Sequence, residues 1–249
     1  GFVSRGLGDV YKRQDLMKGS LLGPDFSDQE IKMALDEFGV IYKKISSDRL
    51  VENVASLLGE QKVVGWFQGR MEYGPRALGC RSILGDPRVE DMQRKMNLKI
   101  KFRESFRPFA PAVLEEDVGS YFVCKDHSPY MLRVTQILPE LCFDDSAFQG
   151  DGLGKLDFKR STIPAVTHVD YSARVQTVNK INNPFFYSLL REFKSQTGCS
   201  VLINTSFNVK DEPIVCSPSD AIKCFLETEI DALAIGNFLC IKDQQFAKI

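Results

Sequence analysis

Histidine is nearly missing from this sequence: its 249 residues include two, His127 and His168. That is too few for a histidine-rich metal centre. None of the seven cysteines stands in a Cys-x-x-Cys pair, the close spacing that structural zinc normally takes. Long apolar runs are missing as well. The longest, from Ala232 to Ile241, is broken by Gly236 and Asn237 and falls short of the roughly 18 residues that read as a membrane span. There is no excess of one charge either. With 32 Lys and Arg against 33 Asp and Glu the net charge is −1, which argues against a broadly basic nucleic-acid binder. No secretory signal precedes the cysteines, and most lie in apolar stretches where a thiol packs as a small hydrophobe. Reduced thiols in a cytoplasmic protein are therefore expected.

What remains is ordinary globular composition. The chain is 43% hydrophobic and 26% charged, long enough to bury a core in one or two domains. Gly1 to Gln14, GFVSRGLGDVYKRQ, has no hydrophobic periodicity and is similar to a translated adapter or cloning remnant. Its Gly6-Leu7-Gly8 lacks both a preceding strand and a Gly-Lys-Ser/Thr, so it is not a phosphate loop. Beyond it the pattern becomes regular. Ser27-Asp28-Gln29-Glu30 has capping-box form before a helix that Gly39 ends, and a second helix runs from about Asp48 to Gly59. Lys62 to Gln68 reads as a buried strand and Val89 to Leu98 as a polar amphipathic helix. Arg107 to Leu114, Met131 to Leu138 and His168 to Val178 read as extended.

Glu140 to Arg160, with three glycines between Gly150 and Gly154, reads as a loop or insertion. Asn183-Pro184 and Ser217-Pro218 each open a helix, Ser200 to Asn204 is a strand, and Asp231 to Ile241 supplies two closing strands. The alternation predicts an α/β fold, a twisted mixed sheet flanked by helices.

Charge is concentrated in one place. Arg70 to Arg107 holds ten Lys and Arg against five Asp and Glu, so the rest of the chain carries −6 to reach the net −1. Arg94 and Lys95 belong to a solvated helix face. Arg76 follows a rigid Gly74-Pro75 turn, and Arg107 precedes Pro108-Phe109. In an extended Ile100-Lys101-Phe102-Arg103 both cations would share one face. Cations on stiff backbone suit phosphate recognition; salt bridges to acids such as Glu72 and Glu104 are the ordinary alternative, at even weight. Leu202 to Asn208 adds Asn204, Thr205, Ser206 and Asn208 where a strand runs into polar side chains, the end at which open α/β sheets bind ligands. A turn or a cap would use the same residues.

Lys101-x-Arg103 with Ser206-x-Asn208 resembles the signature of YrdC-like domains, which bind ATP and build carbamoyl-type adenylates. The wider context is more specific. GRMEYGPRALGCRSILGDPR (Gly69–Arg88), NLKIKFRESFRPFAPAVL (Asn97–Leu114), PAVTHVDYSARVQTV (Pro164–Val178) and VLINTSFNVKDEPIVCSPSDAIKCF (Val201–Phe225) resemble the C-terminal domain of the carbamoyltransferases. That family acts on nodulation factors, cephems and aminoglycosides. The resemblance implies a YrdC-like domain over residues 47–245, with 15–46 as lead-in from a missing N-terminal transferase domain. It implies carbamoyladenylate formation from carbamoyl phosphate and ATP, with Mg2+ riding on the nucleotide and transfer to an acceptor hydroxyl by the N-terminal domain.

Lys101, Arg76 and Arg107 would stabilise charge in the reaction. Arg103, Arg174, Asn204, Ser206 and Asn208 would contact nucleotide or adenylate. Glu72 and Asp170 would support these cations, with a plain salt bridge the stronger expectation for each. Neither membrane nor nucleic acid is an expected partner. Two features depart from the family pattern: Tyr171-Ser172 stands where Gly-Thr is expected, and the 140–160 insertion precedes it. Two rival readings are a threonylcarbamoyl-adenylate synthase of tRNA modification and a non-catalytic RNA-binding module. Enzymes of the first kind lack the long motifs, and against the second few aromatics interleave with the cations and the overall charge is not basic.

Overall fold

The computed structural model describes residues 17–124, 126–144 and 158–245. The proposed remnant at 1–14 and residues 145–157 of the predicted insertion lie outside these. Among the described residues nine strands form one mixed sheet: β1 (Lys43–Lys44), β2 (Val64–Phe67), β3 (Arg81–Gly85), β4 (Ala110–Leu114), β5 (Arg133–Gln136), β6 (Ser172–Val178), β7 (Val201–Ser206), β8 (Ala232–Ile235) and β9 (Phe238–Ile241). Their order is β1-β9-β8-β2-β3-β7-β4-β6-β5. The β2–β8 and β4–β6 pairs are parallel and the others antiparallel. The helices are α1 (Asp28–Glu37), α2 (Ser47–Gly59), α3 (Met92–Lys99), α4 (Pro184–Thr197), α5 (Pro218–Glu227) and the short α6 (Lys242–Gln245). The pairs α2–α4 and α1–α5 pack against the sheet. This is the α/β class expected from the alternation of elements.

Local chemistry explains most boundaries. Ser27 and Glu30 close a reciprocal capping box on α1, and Ser217 and Asp220 do the same on α5. Asn183 accepts a hydrogen bond from Phe186 N ahead of Pro184, and Gly198 ends α4 in the left-handed conformation. β2, β3 and β4 are buried throughout, as central strands require. No helix among the described residues is long and apolar enough to cross a membrane.

One expectation fails. Ile100 to Arg103 is not extended. Lys101 N and Arg103 N bond back to Met96 O and Asn97 O, and Phe102 takes a positive φ of 48°. The segment therefore wraps the end of α3 and reverses the predicted faces: Lys101 is 4% exposed and Phe102 52%. Burying the aromatic would need alternation, which the helix-ending turn removes.

Candidate anion-binding cleft

Four of the five predicted cations converge on a cleft of about 410 Å³. Its walls come from the Pro75–Ala77 turn, the segment before β4, β6 and the end of β7. Arg76, Arg103, Arg107, Arg174, Asn204 and Ser206 all line it, and no Asp or Glu is among the described residues that do. The paired strands explain the convergence: β7 lies between β3 and β4, and β4 lies beside β6.

The Arg76 turn is built from below by a carboxylate. Glu72 is 4% exposed, and its Oε1 accepts hydrogen bonds from Leu78 N, Cys80 N and Arg81 N at 2.7, 2.6 and 3.1 Å. Asp170 Oδ1 similarly accepts from Ser172 N and Oγ at 3.1 and 2.7 Å. Neither carboxylate pairs with a Lys or Arg among the described residues, so the expected salt bridges give way to loop-shaping roles. Tyr171, at one of the positions that depart from the family pattern, sits in this turn with a positive φ of 61°. A glycine would adopt that conformation without strain.

Arg103 is held from both sides. Its Nε donates to Asn97 Oδ1 at 2.6 Å, and its guanidinium lies 4.9 Å from the centre of the Phe109 ring. Asn97 is fully buried, and its Nδ2 donates to Ser105 O and Arg107 O, fixing the loop that carries both arginines. Burial, and then the charge of Arg107, pulls the Arg103 pKa down to about 10. Arg107 is exposed and reaches Glu104 at 4.0 Å, an ion pair of little energetic weight.

Arg174 projects from β6 opposite Val134 of β5. Its Nε is buried without a hydrogen-bond partner, and burial followed by the charge of Arg76 lowers its proton affinity. Two mutually repelling guanidiniums with no acid between them form a site that an anion would relieve.

The structure places two predicted residues elsewhere. Lys101 and Asn208 do not line the cleft; they form a knot behind it. Lys101 Nζ donates to Ser206 O, to Ser206 Oγ at 3.3 Å, and to Asn208 O and Oδ1 at 2.9 and 2.7 Å. Burial, with Arg103 next, lowers its pKa to about 7. In the unfolded chain a lysine stays protonated to about 10.4. Between those limits the unfolded state holds the extra proton, so stability should rise with pH from about 7 towards 10. Lys101→Met should lose that rise and, by leaving the turn's oxygens without a donor, cost about 2–4 kcal/mol. Urea unfolding of both proteins at pH 6.5 and pH 9 measures each effect; parallel pH dependences would exclude this role for Lys101.

His168 and the supports Asn97 and Gln176 escaped the reading of the sequence, whereas Thr205 was part of the polar strand end it singled out. His168 and Thr205 line the cleft. Burial pushes the His168 imidazole below its usual pKa against the opposing charge of Asp170. His168 sits within a motif that carries the family resemblance, and that was the available signal. Asn97 and Gln176 lie in such motifs too, but their supporting roles depend on atoms that folding brings to them, Ser105 O and Arg107 O for Asn97 and Leu78 O for Gln176. Among the described residues no group of three or more His, Cys, Asp or Glu is arranged to hold a metal.

Comparison with known proteins agrees with the motifs. Residues 55–242 match the family model described as carbamoyltransferase C-terminus. The chain is 53% identical to the uncharacterized protein sll1178 of Synechocystis, over 95% of this chain and 39% of that protein. It is 40% identical to the nodulation protein NolO of Bradyrhizobium diazoefficiens, over 88% and 38%. Identity to the 3'-hydroxymethylcephem-O-carbamoyltransferase of Amycolatopsis lactamdurans is 36%, over 75% and 32%. The chain thus spans about a third to two-fifths of these curated relatives.

Proposed function

Because this chain belongs to the carbamoyltransferase C-terminus family, we propose that it forms carbamoyladenylate from carbamoyl phosphate and ATP. The carbamoyl group would then pass to an acceptor hydroxyl on a further domain of the kind its longer relatives have room for. One observation carries the reading: four arginines and no carboxylate line one cleft.

The chemistry suits that arrangement. Water splits carbamoyl phosphate into carbamate and phosphate. A carbamate oxygen then bonds to the α-phosphorus of ATP as the bond to pyrophosphate breaks. Both steps bring anionic oxygens together, and fixed cations lower their barriers by positioning and by stabilising charge on the leaving group. No protein nucleophile is required. Arg76, Arg103, Arg107 and Arg174 supply the cations, with Ser206 and Thr205 as neutral contacts. Lys101 and Asn208 act through the Ser206 turn as positioning residues. Among the described residues the cleft offers no carboxylate to hold a resident metal, and Mg2+ would enter as MgATP, a substrate.

Mixing the protein with MgATP and carbamoyl phosphate should release pyrophosphate above background. Arg76→Ala should reduce that release at least about tenfold, the loss of a charge-assisted contact, while Arg94→Ala, on the exposed face of α3, should leave it unchanged. Absence of pyrophosphate from folded protein would refute the adenylation reading. Equal effects of the two substitutions would refute the placement of the site.

A further inference from the structure

One atom of the cleft is not explained by phosphate. Asn204 is 1% exposed and lines the cleft, and its Oδ1 has no hydrogen-bond partner. Its orientation is set by its neighbours. Gln176 Nε2 donates to Leu78 O at 2.8 Å, which turns Gln176 Oε1 towards Asn204. Asn204 Nδ2 donates to that oxygen at 2.7 Å and to Ala77 O at 3.0 Å. Exchanging its oxygen and nitrogen would set Oδ1 against two acceptors, so the amide is locked with its acceptor unused.

A buried acceptor without a donor is costly. The ionised oxygens of phosphate carry no N–H and would only repel it. A ligand that brings a donor as well as an anion would satisfy this oxygen. We infer that Asn204 Oδ1 accepts a hydrogen bond from the carbamoyl NH2, and so selects a carbamoyl group over other acyl groups. This rests on the function proposed above. The reach is chemically apt. In carbamoyl phosphate and in carbamoyladenylate the nitrogen is three bonds from phosphorus, within the compass of a cleft whose arginines hold the phosphate. The adenine amino group lies across the ribose from it. Asn204 is a specificity residue in this account, held in place by Gln176.

A stable pair of isosteres tests it. Phosphonoacetamide carries the NH2, and 2-oxopropylphosphonate replaces that group with CH3. Their dissociation constants for the wild-type chain and for Asn204→Ala are measured by titration calorimetry, with inorganic phosphate as reference. Phosphonoacetamide should bind the wild type at least about tenfold more tightly than the ketone, because the ketone leaves Oδ1 unpaired. In Asn204→Ala that ratio should fall to near one while phosphate affinity holds. Equal affinities in the wild type, or a preference that survives in Asn204→Ala, would overturn the assignment while leaving an anion site standing. If neither phosphonate nor phosphate binds, the proposed function fails and this inference with it. Should Asn204→Ala not fold, Asn204→Ser is measured in its place, and equal affinities in the wild type overturn the assignment by themselves.

Discussion

Replacing Gly79 with alanine should destabilise the domain by about 2–5 kcal/mol, through a forced left-handed conformation and an overpacked core. Gly79 has a φ of +103°, and a methyl group there would lie 2.2 Å from Phe186 Cδ1 and 2.6 Å from its Cγ. Phe186 has nowhere to retreat, being wholly buried in the first turn of α4. The glycine cannot move away either. Its carbonyl accepts hydrogen bonds from Trp66 Nε1 at 3.0 Å and Asn183 Nδ2 at 3.3 Å, and its N–H donates to Ser82 Oγ at 3.1 Å. Gly39→Ala is the control. Its φ is +65°, with nothing within 4 Å of the added carbon, so it should cost only about 1–2 kcal/mol, the conformational part. Denaturant midpoints measure both, and equal losses would show that contact with Phe186 is not the cause. The carbonyls that orient Asn204 and Gln176 belong to Ala77 and Leu78, immediately before Gly79. Partial unfolding of this corner should therefore weaken the preference for an NH2-bearing ligand before the whole domain is lost.

Arg174→Met should separate function from stability. The substitution keeps much of the side chain's bulk over β6 while removing a partly buried charge that has no acid partner and repels Arg76. Stability at pH 7 should change by no more than about 1 kcal/mol, on the side of a gain, since replacing an uncompensated charge by an apolar group is often stabilising. Pyrophosphate release should fall about a hundredfold or more, the scale of one lost group that stabilises transition-state charge. Phosphate gives an independent reading: a bound anion raises the wild-type melting temperature by mass action, and this shift should shrink in the variant. A strongly destabilised Arg174→Met that still gains stability from phosphate would place Arg174 in the framework and not in the site.

The parts of this molecule that could be read from sequence are those whose causes lie within a few residues. The capping box at Ser27 and the cap-plus-proline starts at Asn183-Pro184 and Ser217-Pro218 involve atoms one turn apart, and α1, α4 and α5 begin where those signals stand. Residue order also identified which cations sit on stiff backbone. Of the predicted set, Arg76, Arg103, Arg107, Arg174, Asn204 and Ser206 meet in one cleft.

What escaped depends on partners distant in sequence. Lys101 turns inward because acceptors more than a hundred residues away, on Ser206 and Asn208, are brought to it by the sheet. A two-residue alternation could not anticipate that. Glu72 looks like a salt-bridge partner until the turn above it presents three N–H groups to its Oε1. Sequence alone determined the local elements, the excess of cations in one segment and the motifs of the family. Tertiary structure decided which polar atoms are satisfied and which are left waiting for a ligand. The strand order that sets Gln176 and Ala77 against Asn204 consumes its donor and leaves its acceptor free, and that balance exists only once distant strands have paired.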